Sequence, residues 1–321
     1  MRVHVLAVDG VFDLGLASVL DAFQTANELL EATGLDVEPF QVKTVGVRRR
    51  VTTAQGLSVP VHSPDRRTPD CVVVPAIGTK MPAPLEKALA RPDVHDAAEL
   101  LRDYAKRGAT MTAACIGTFL MAESGLLNGQ RATTTWWLAP LFRRRYPDVA
   151  LEDSSMIVES GRFVTAGAAL GHMDLALWLV RRVSPQLAAL TAQYLIVDSR
   201  PSQSAYALTD HLVHSDPLVQ KFESWARASV ARGFSLDRAA RAVGSSKRTL
   251  ARKLQAVLGK SPLEYFQSVR VERAVHLLKT TPASVDEIAA RVGYADGVTL
   301  RALLRRQLHR GVREIRLGGG G

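Results

Sequence analysis

The sequence predicts two folds in tandem. An α/β domain, a mostly parallel sheet sandwiched by helices, is followed by an all-α domain with two helix-turn-helix motifs. Three observations carry this. Short apolar runs alternate with helical stripes over the first two hundred residues, as in a parallel sheet covered on both faces. One design of helix, glycine, polar cap and basic helix is written twice between Ser235 and Leu308. The charge is divided as well: residues 217–321 hold 20 Lys and Arg against 8 Asp and Glu, a net of +12, while the residues before them hold 21 against 23, a net of −2. A chain of 321 residues is long for one domain and natural for two.

In chain order, the run from Val3 to Val8 reads as a buried strand, with a helix over Leu16–Leu30. The run from Pro39 to Gly46 is a second strand and residues 51–63 a hairpin. Asp70–Gly78 is a third strand ending in a loop, and Pro92–Arg107 a helix. Ala109–Ala114 is another strand, running through Cys115 into a helix over Thr118–Glu123 that Gly125 ends. Arg131–Trp137 reads as a strand entry, Leu138–Tyr146 as a helix, Ser155–Ala166 as a hairpin and Gly171–Val183 as a closing helix. Trp136 and Trp137 are expected in the core, with the lining of a cavity or interface as the alternative. The polar, proline-interrupted stretch 199–216 reads as the connection between domains 1–198 and 217–321, and the closing Gly318–Gly321 as a disordered end.

In the first helix pair Leu236, Ala239, Ala240 and Val243 form the leading stripe, Gly244 turns and Ser246 caps. Leu250, Leu254, Val257 and Leu258 then share one face, leaving Lys247, Arg248, Thr249, Arg252 and Lys253 outside. The second pair repeats this with Ile288, Ala289 and Val292, Gly293 at the turn and Asp296 as cap. Its last helix buries Leu300, Leu303, Leu304 and Leu308 and leaves Val298, Thr299, Arg301, Arg305 and Arg306 outward. Ser261, Pro262 and Glu264 start a connecting helix in a capping box. Such a connector would hold two reading helices about one DNA turn, ~34 Å, apart.

These residues resemble the AraC family of transcriptional regulators over roughly the last third of the chain. Gly259-Lys260-Ser261-Pro262 with Tyr265, and Ile288-Ala289 with Val292-Gly293-Tyr294, fit the family pattern. Leu300 and Leu304 stand where aromatics are usual, and His309 and Val312 where Gly and Pro are. The resemblance implies promoter DNA as partner, contacted through Ser246, Lys247, Arg248, Thr249, Arg252, Lys253, Val298, Thr299, Arg301 and Arg305.

The front domain has one place suited to chemistry. Cys115 lies between a strand and a helix among the small residues Ala113, Ala114 and Gly117, the layout of a nucleophile elbow. Free N–H groups and the helix dipole there would favour a thiolate. The segment Ala113–Thr135, with Val8–Phe23 and Asp70–Gly78, resembles the ThiJ/PfpI group, with its flavodoxin-like, amidotransferase-like fold, over about residues 1–185. Enzymes of that group carry a His at the end of the Thr-Thr strand, where this chain has Thr135, and a Glu early in the first helix, where it has Gly15 with Asp13 nearby. His172 is a conceivable substitute base or a satisfied packing residue. Cys115, with Ile116 and Thr135, is accordingly a candidate ligand or redox site, a catalytic group or a plain buried thiol.

Joined in this order, the two domains resemble the GlxA-type regulators. The expected function is a DNA-binding regulator whose non-catalytic front domain senses a small molecule or oxidant, or dimerises the protein. A cysteine-dependent hydrolase or amidase with a basic appendage is the alternative, and a front domain that serves only dimerisation is a third reading. No cofactor or metal is expected, since no Rossmann fingerprint, Walker A loop or zinc spacing is present. Two cysteines, no signal-peptide pattern and no apolar run of about eighteen residues point to a cytoplasmic protein without membrane contact.

Overall fold

A computed structural model describes residues 1–64, 67–198, 203, 216–308 and 310–316. The expected connection, apart from Gln203 and Asp216, lies outside the described residues, as do His309 and the Gly318–Gly321 end. The described residues form two compact units.

The first unit contains strands β1 (Arg2–Leu6), β2 (Gln41–Val45), β3 (Arg50–Thr52), β4 (Ser58–Pro60), β5 (Cys71–Val74), β6 (Thr110–Ala114), β7 (Arg131–Ala132), β8 (Ala150–Leu151), β9 (Ile157–Ser160) and β10 (Phe163–Ala166). Six form one sheet in the order β2-β1-β5-β6-β10-β9, parallel except where β9 pairs antiparallel with β10. Gly161, at φ +60°, closes that hairpin where a side chain would be strained. The helices are α1 (Asp13–Thr33), α2 (Pro82–Leu89), α3 (Pro92–Lys106), α4 (Gly117–Glu123), α5 (Ala139–Arg145), α6 (Gly171–Val183) and α7 (Pro185–Tyr194).

Alternation along each strand builds a core on either face of the sheet. Val3, Val5, Cys71, Val73 and Ala114 pack with Val19, Phe23, Leu175 and Leu179 from α1 and α6. Leu6, Val72, Val74, Met111 and Ala113 pack with Leu85, Leu101 and Phe119 from α2, α3 and α4. Helices α2 and α7 add to the expected set; each starts at a proline. The Arg131–Trp137 run departs from expectation. Only Arg131 and Ala132 are strand, paired with β8 in a separate two-stranded sheet, and Trp136–Leu138 is a 3-10 turn. Trp136 and Trp137 are half-buried, and the Trp137 indole N–H donates to the Lys80 carbonyl at 3.2 Å.

The second unit is formed by α8 (Pro217–Ala228), α9 (Leu236–Ala242), α10 (Lys247–Leu258), α11 (Pro262–Thr280), α12 (Val285–Arg291), α13 (Gly297–Leu308) and α14 (Val312–Arg316). It has two cores. One joins Val219 and Phe222 to Leu250, Leu254 and Tyr265, and the other joins Ala274 and Leu278 to Ile288, Leu300 and Leu304. Helix α11 contributes to both, because its residues before and after Arg270 face different cores.

The start of α4 is pressed against the end of β5. A β-carbon on Gly117 would stand 2.2 Å from the Val74 carbonyl oxygen and 2.7 Å from that of Pro75. Both are backbone atoms and cannot swing aside. Gly117→Ala is therefore expected to destabilise the first unit by about 1–3 kcal/mol or more, read as a lowered urea midpoint with an unchanged slope.

Candidate functional site

Cys115 joins β6 to α4 at φ +56°, one of three non-glycine residues with positive φ among those described. For an L-residue this conformation costs about 1–2 kcal/mol, so its neighbours must impose it. The Cys115 N–H donates to the Ala166 carbonyl at 2.8 Å, and the Cys115 carbonyl accepts the Thr134 hydroxyl at 2.7 Å. Both peptide groups of the elbow are thereby gripped from the segments after β7 and at the end of β10.

The sulfur is buried, with only 3% of the residue exposed. Burial pushes its pKa up to about 12; the Ile116 N–H, the Thr135 hydroxyl and the Lys80 charge pull the other way and lose. This corrects the expectation of a stabilised thiolate. Helix α4 has only 7 residues, and its field does not offset desolvation. Cys115, Ile116 and Thr135 do come together as expected. Thr135 is fully buried, and its hydroxyl, beside the sulfur, has no hydrogen-bond partner of ordinary geometry. Cys71, the other free cysteine, is likewise buried and raised to about 12.

His172 is held as a neutral packing residue. Its Nδ1–H donates to the Ala169 carbonyl at 2.7 Å, and Nε2 accepts the Ala76 N–H at 3.0 Å. With the lone pair engaged and burial lowering its pKa to about 4, the imidazole cannot take a proton from Cys115. The ring also fills the space beside α1, since a β-carbon on Gly15 would lie 2.6 Å from Nε2. A carboxylate side chain at position 15 and His172 in this place exclude each other. Asp13 accepts the Gln55 N–H at 3.2 Å with one oxygen, and its other oxygen is buried without a hydrogen-bond partner among the described residues.

In the second unit the helix pairs form as read. Gly244 and Gly293 take the turns at φ +68° and +81°. The Ser246 hydroxyl accepts the Thr249 N–H at 3.1 Å, and Asp296 accepts the Thr299 N–H at 2.7 Å. Leu250, Leu254 and Leu258 bury one face of α10, and Leu300, Leu303, Leu304 and Leu308 one face of α13. Ser246, Lys247, Arg248, Arg252, Val298, Thr299, Arg301 and Arg305 are exposed, and Thr249 and Lys253 half-buried. The two lysines have partners: Lys247 pairs with Asp237 at 2.9 Å and Lys253 with Asp216 at 2.7 Å. Asp216 also caps α8, so Lys253 ties α10 to that helix. No ion pair holds Arg248, Arg252, Arg301 or Arg305 among the described residues.

Arg270 stands outside the expected site residues. Only 7% exposed, it donates from Nε to the Val230 carbonyl at 3.1 Å and from a terminal nitrogen to that of Arg232 at 2.8 Å. Its guanidinium lies 4.8 Å from the ring centres of both Phe266 and Tyr294. A β-carbon on Gly293 would meet it at 2.3 Å. The loop after α8, the connecting helix and the second turn are fastened at this one cation. Its only sequence signal was a charge on an otherwise apolar stripe.

Residues 1–182 match the DJ-1/PfpI family, and residues 239–317 match a helix-turn-helix domain. Among curated proteins, the HTH-type transcriptional regulator GbdR of Pseudomonas aeruginosa is 26% identical over 296 residues, covering 90% of this chain and 77% of that protein. The HTH-type transcriptional regulator CdhR of the same organism is 28% identical over 199 residues, 60% of this chain and 59% of its own. Among solved structures, an AraC family transcriptional regulator from Pseudomonas putida superposes with a TM-score of 0.50 at 21% identity, over 60% of this chain and 98% of that one, a likeness of fold. Fold, paired motif and matches define the class: a transcriptional regulator that joins a DJ-1/PfpI domain to a helix-turn-helix domain. The chain belongs to the DJ-1/PfpI family, whose model spans more than half of it.

Two outcomes follow from the buried groups. Iodoacetamide at pH 8 should label Cys115 at least about a hundredfold more slowly in the native protein than in urea, because the thiolate is scarce and covered; comparable rates would contradict the burial. His172 binds its proton near pH 6.5 when unfolded and near 4 when folded, so stability is full above about 6.5 and falls as the pH drops toward 4. The loss should reach roughly 2–3 kcal/mol and be smaller in His172→Gln, measured by urea unfolding across that range.

Proposed function

We propose that this chain is a one-component transcriptional regulator in which α10 and α13 enter successive major grooves of promoter DNA, about one turn or ~34 Å apart. The observation that carries the reading is the pair of basic faces. Arg248, Arg252, Arg301 and Arg305 stand exposed, and among the described residues outside ion pairs, on helices whose opposite faces are anchored by leucines. Arginines so placed can meet phosphates or the O6 and N7 acceptors of guanine, and the exposed Val298 can meet a thymine methyl. Ser246 and Thr249 stand where α10 begins, with Thr299 in the matching place on α13, suited to phosphate contact. Lys247 and Lys253 would have to exchange Asp237 and Asp216 for phosphate, so they rank behind the arginines.

Residues 1–198 serve as the sensor, 199–216 as the connection and 217–321 as the DNA-binding domain. The sensor is non-catalytic: its thiol is protonated at neutral pH, Thr135 offers no base and His172 is occupied. The same high pKa makes Cys115 a poor oxidant sensor, since oxidation follows thiolate character and exposure. A small-molecule effector near Cys115, Ile116 and Thr135 fits better, because the buried Thr135 hydroxyl has only the sulfur beside it and no hydrogen-bond partner of ordinary geometry. A second copy docking through the sensor completes a dimeric regulator. No helix among the described residues is long and apolar enough to cross a membrane.

The test is fluorescence anisotropy of the full chain on the DNA upstream of its own gene. The Arg252→Ala/Arg301→Ala variant should lose about 1–3 kcal/mol for each base contact removed, or flatten the log–log salt dependence by about 0.9 for each phosphate contact removed. Binding as tight and as salt-dependent as wild type would reject the assignment of these arginines.

A further inference from the structure

Gln203 belongs to the stretch between the two domains, yet its side chain is fully buried in the first unit. Its backbone N–H donates to the Ser154 carbonyl at 3.0 Å. Its side-chain nitrogen lies 2.9 Å from the Thr134 carbonyl, 3.2 Å from the Thr133 hydroxyl and 3.3 Å from the Ser155 carbonyl. Three acceptors thus face one amide NH₂, while its oxygen has no partner. The slot is shaped for this residue. A β-carbon on Gly167 would stand 2.4 Å from the Gln203 nitrogen.

The walls of this slot are the segments that grip Cys115. Thr134, whose carbonyl receives the amide, donates its own hydroxyl to the Cys115 carbonyl at 2.7 Å. Gly167, on which the amide lies, follows Ala166, whose carbonyl receives the Cys115 N–H at 2.8 Å. Ala168, next along, is a second non-glycine residue at positive φ, +60°. The strained elbow and the slot therefore share the same two supports, and neither segment can shift without disturbing both.

We propose that Gln203 is a positioning residue that couples the Cys115 elbow to the stretch leading to the DNA-binding domain. A change in the elbow moves Thr134 and Ala166 and weakens the hold on Gln203; releasing Gln203 relaxes the elbow. The coupling is reciprocal, as any coupling free energy between two sites must be. The proposal deepens the sensor reading given above by naming the regulation of that site.

The experiment is hydrogen exchange by mass spectrometry on the full chain, without DNA or effector, comparing wild type with Gln203→Glu and Thr134→Val. The glutamate keeps the shape but turns a carboxylate toward carbonyl oxygens. The valine removes only the hydroxyl on the Cys115 carbonyl and leaves the Gln203 acceptor in place. In wild type, peptides covering residue 203 and residues 113–118 should both be protected. Gln203→Glu should speed exchange at 113–118 by at least about tenfold, and Thr134→Val should speed it at residue 203. Both effects should exceed the change in the global unfolding equilibrium measured in urea, which a merely structural role would not. The proposal is overturned if residue 203 is unprotected in wild type, if either variant affects only its own segment, or if exchange rises only in step with global unfolding. Failure of the sensor reading would show separately, as a DNA affinity that no ligand alters while the exchange coupling persists.

Discussion

Space for a single hydrogen atom governs the front half of this protein. Where α4 begins, the backbone lies so close to the ends of β5 that only glycine fits at 117. That approach leaves the preceding residues a sharp path from strand to helix, and Cys115 adopts positive φ to follow it. The hydrogen bonds from Thr134 and to Ala166 hold it there. A strained non-glycine residue persists only where surroundings overdetermine it, and here the surroundings come from three strand ends. The same tightness that shapes the elbow buries its sulfur.

Burial then decides the chemistry. The elbow geometry favours a nucleophile in principle, because an N–H points at the sulfur and a helix begins nearby. In this chain desolvation outweighs both, and the thiol rises to about 12. The partners that could reverse the balance are occupied or absent. His172 has spent its lone pair on Ala76 and fills the room a side chain at Gly15 would need, and Thr135 brings a hydroxyl that neither accepts a proton at neutral pH nor carries charge. With no base beside it the elbow holds a chemically quiet thiol, which on the proposed reading serves recognition rather than turnover.

Much of this could be read from the sequence, and the reasons differ by region. The helix pairs were legible because their signals are local: leucines four apart, a glycine at each turn, and Ser246 and Asp296 at the caps. The strand-to-helix turn at Cys115 was legible for the same reason. The Arg131–Trp137 run misled because β-branched threonines favour strands, yet Thr133 and Thr134 spend their hydroxyls on Ser155 and Cys115 outside any ladder. The roles of Arg270 and Gln203 were hidden because the groups they hydrogen-bond are distant in sequence. Nothing near Gln203 announces that Gly167 has been left bare to receive it. The direction of the Cys115 shift was hidden too, since it depends on how completely other segments cover the sulfur.

The two basic helices are copies in form and differ in content. Aligned from their caps, Arg248 corresponds to Val298, Ala251 to Arg301, Arg252 to Ala302 and Gln255 to Arg305. The residues that build the core, Leu250, Leu254 and Leu258 against Leu300, Leu304 and Leu308, are identical. The core positions match and the outward positions differ, so on the proposed reading the two heads recognise different base sequences. Arg270 fastens the connection between them to the second turn, which restricts how far one head can rotate against the other. A dimer of identical heads reads a palindrome because its symmetry requires one. Two unlike heads within one chain carry no such symmetry, so on that reading each copy calls for an asymmetric, directional site.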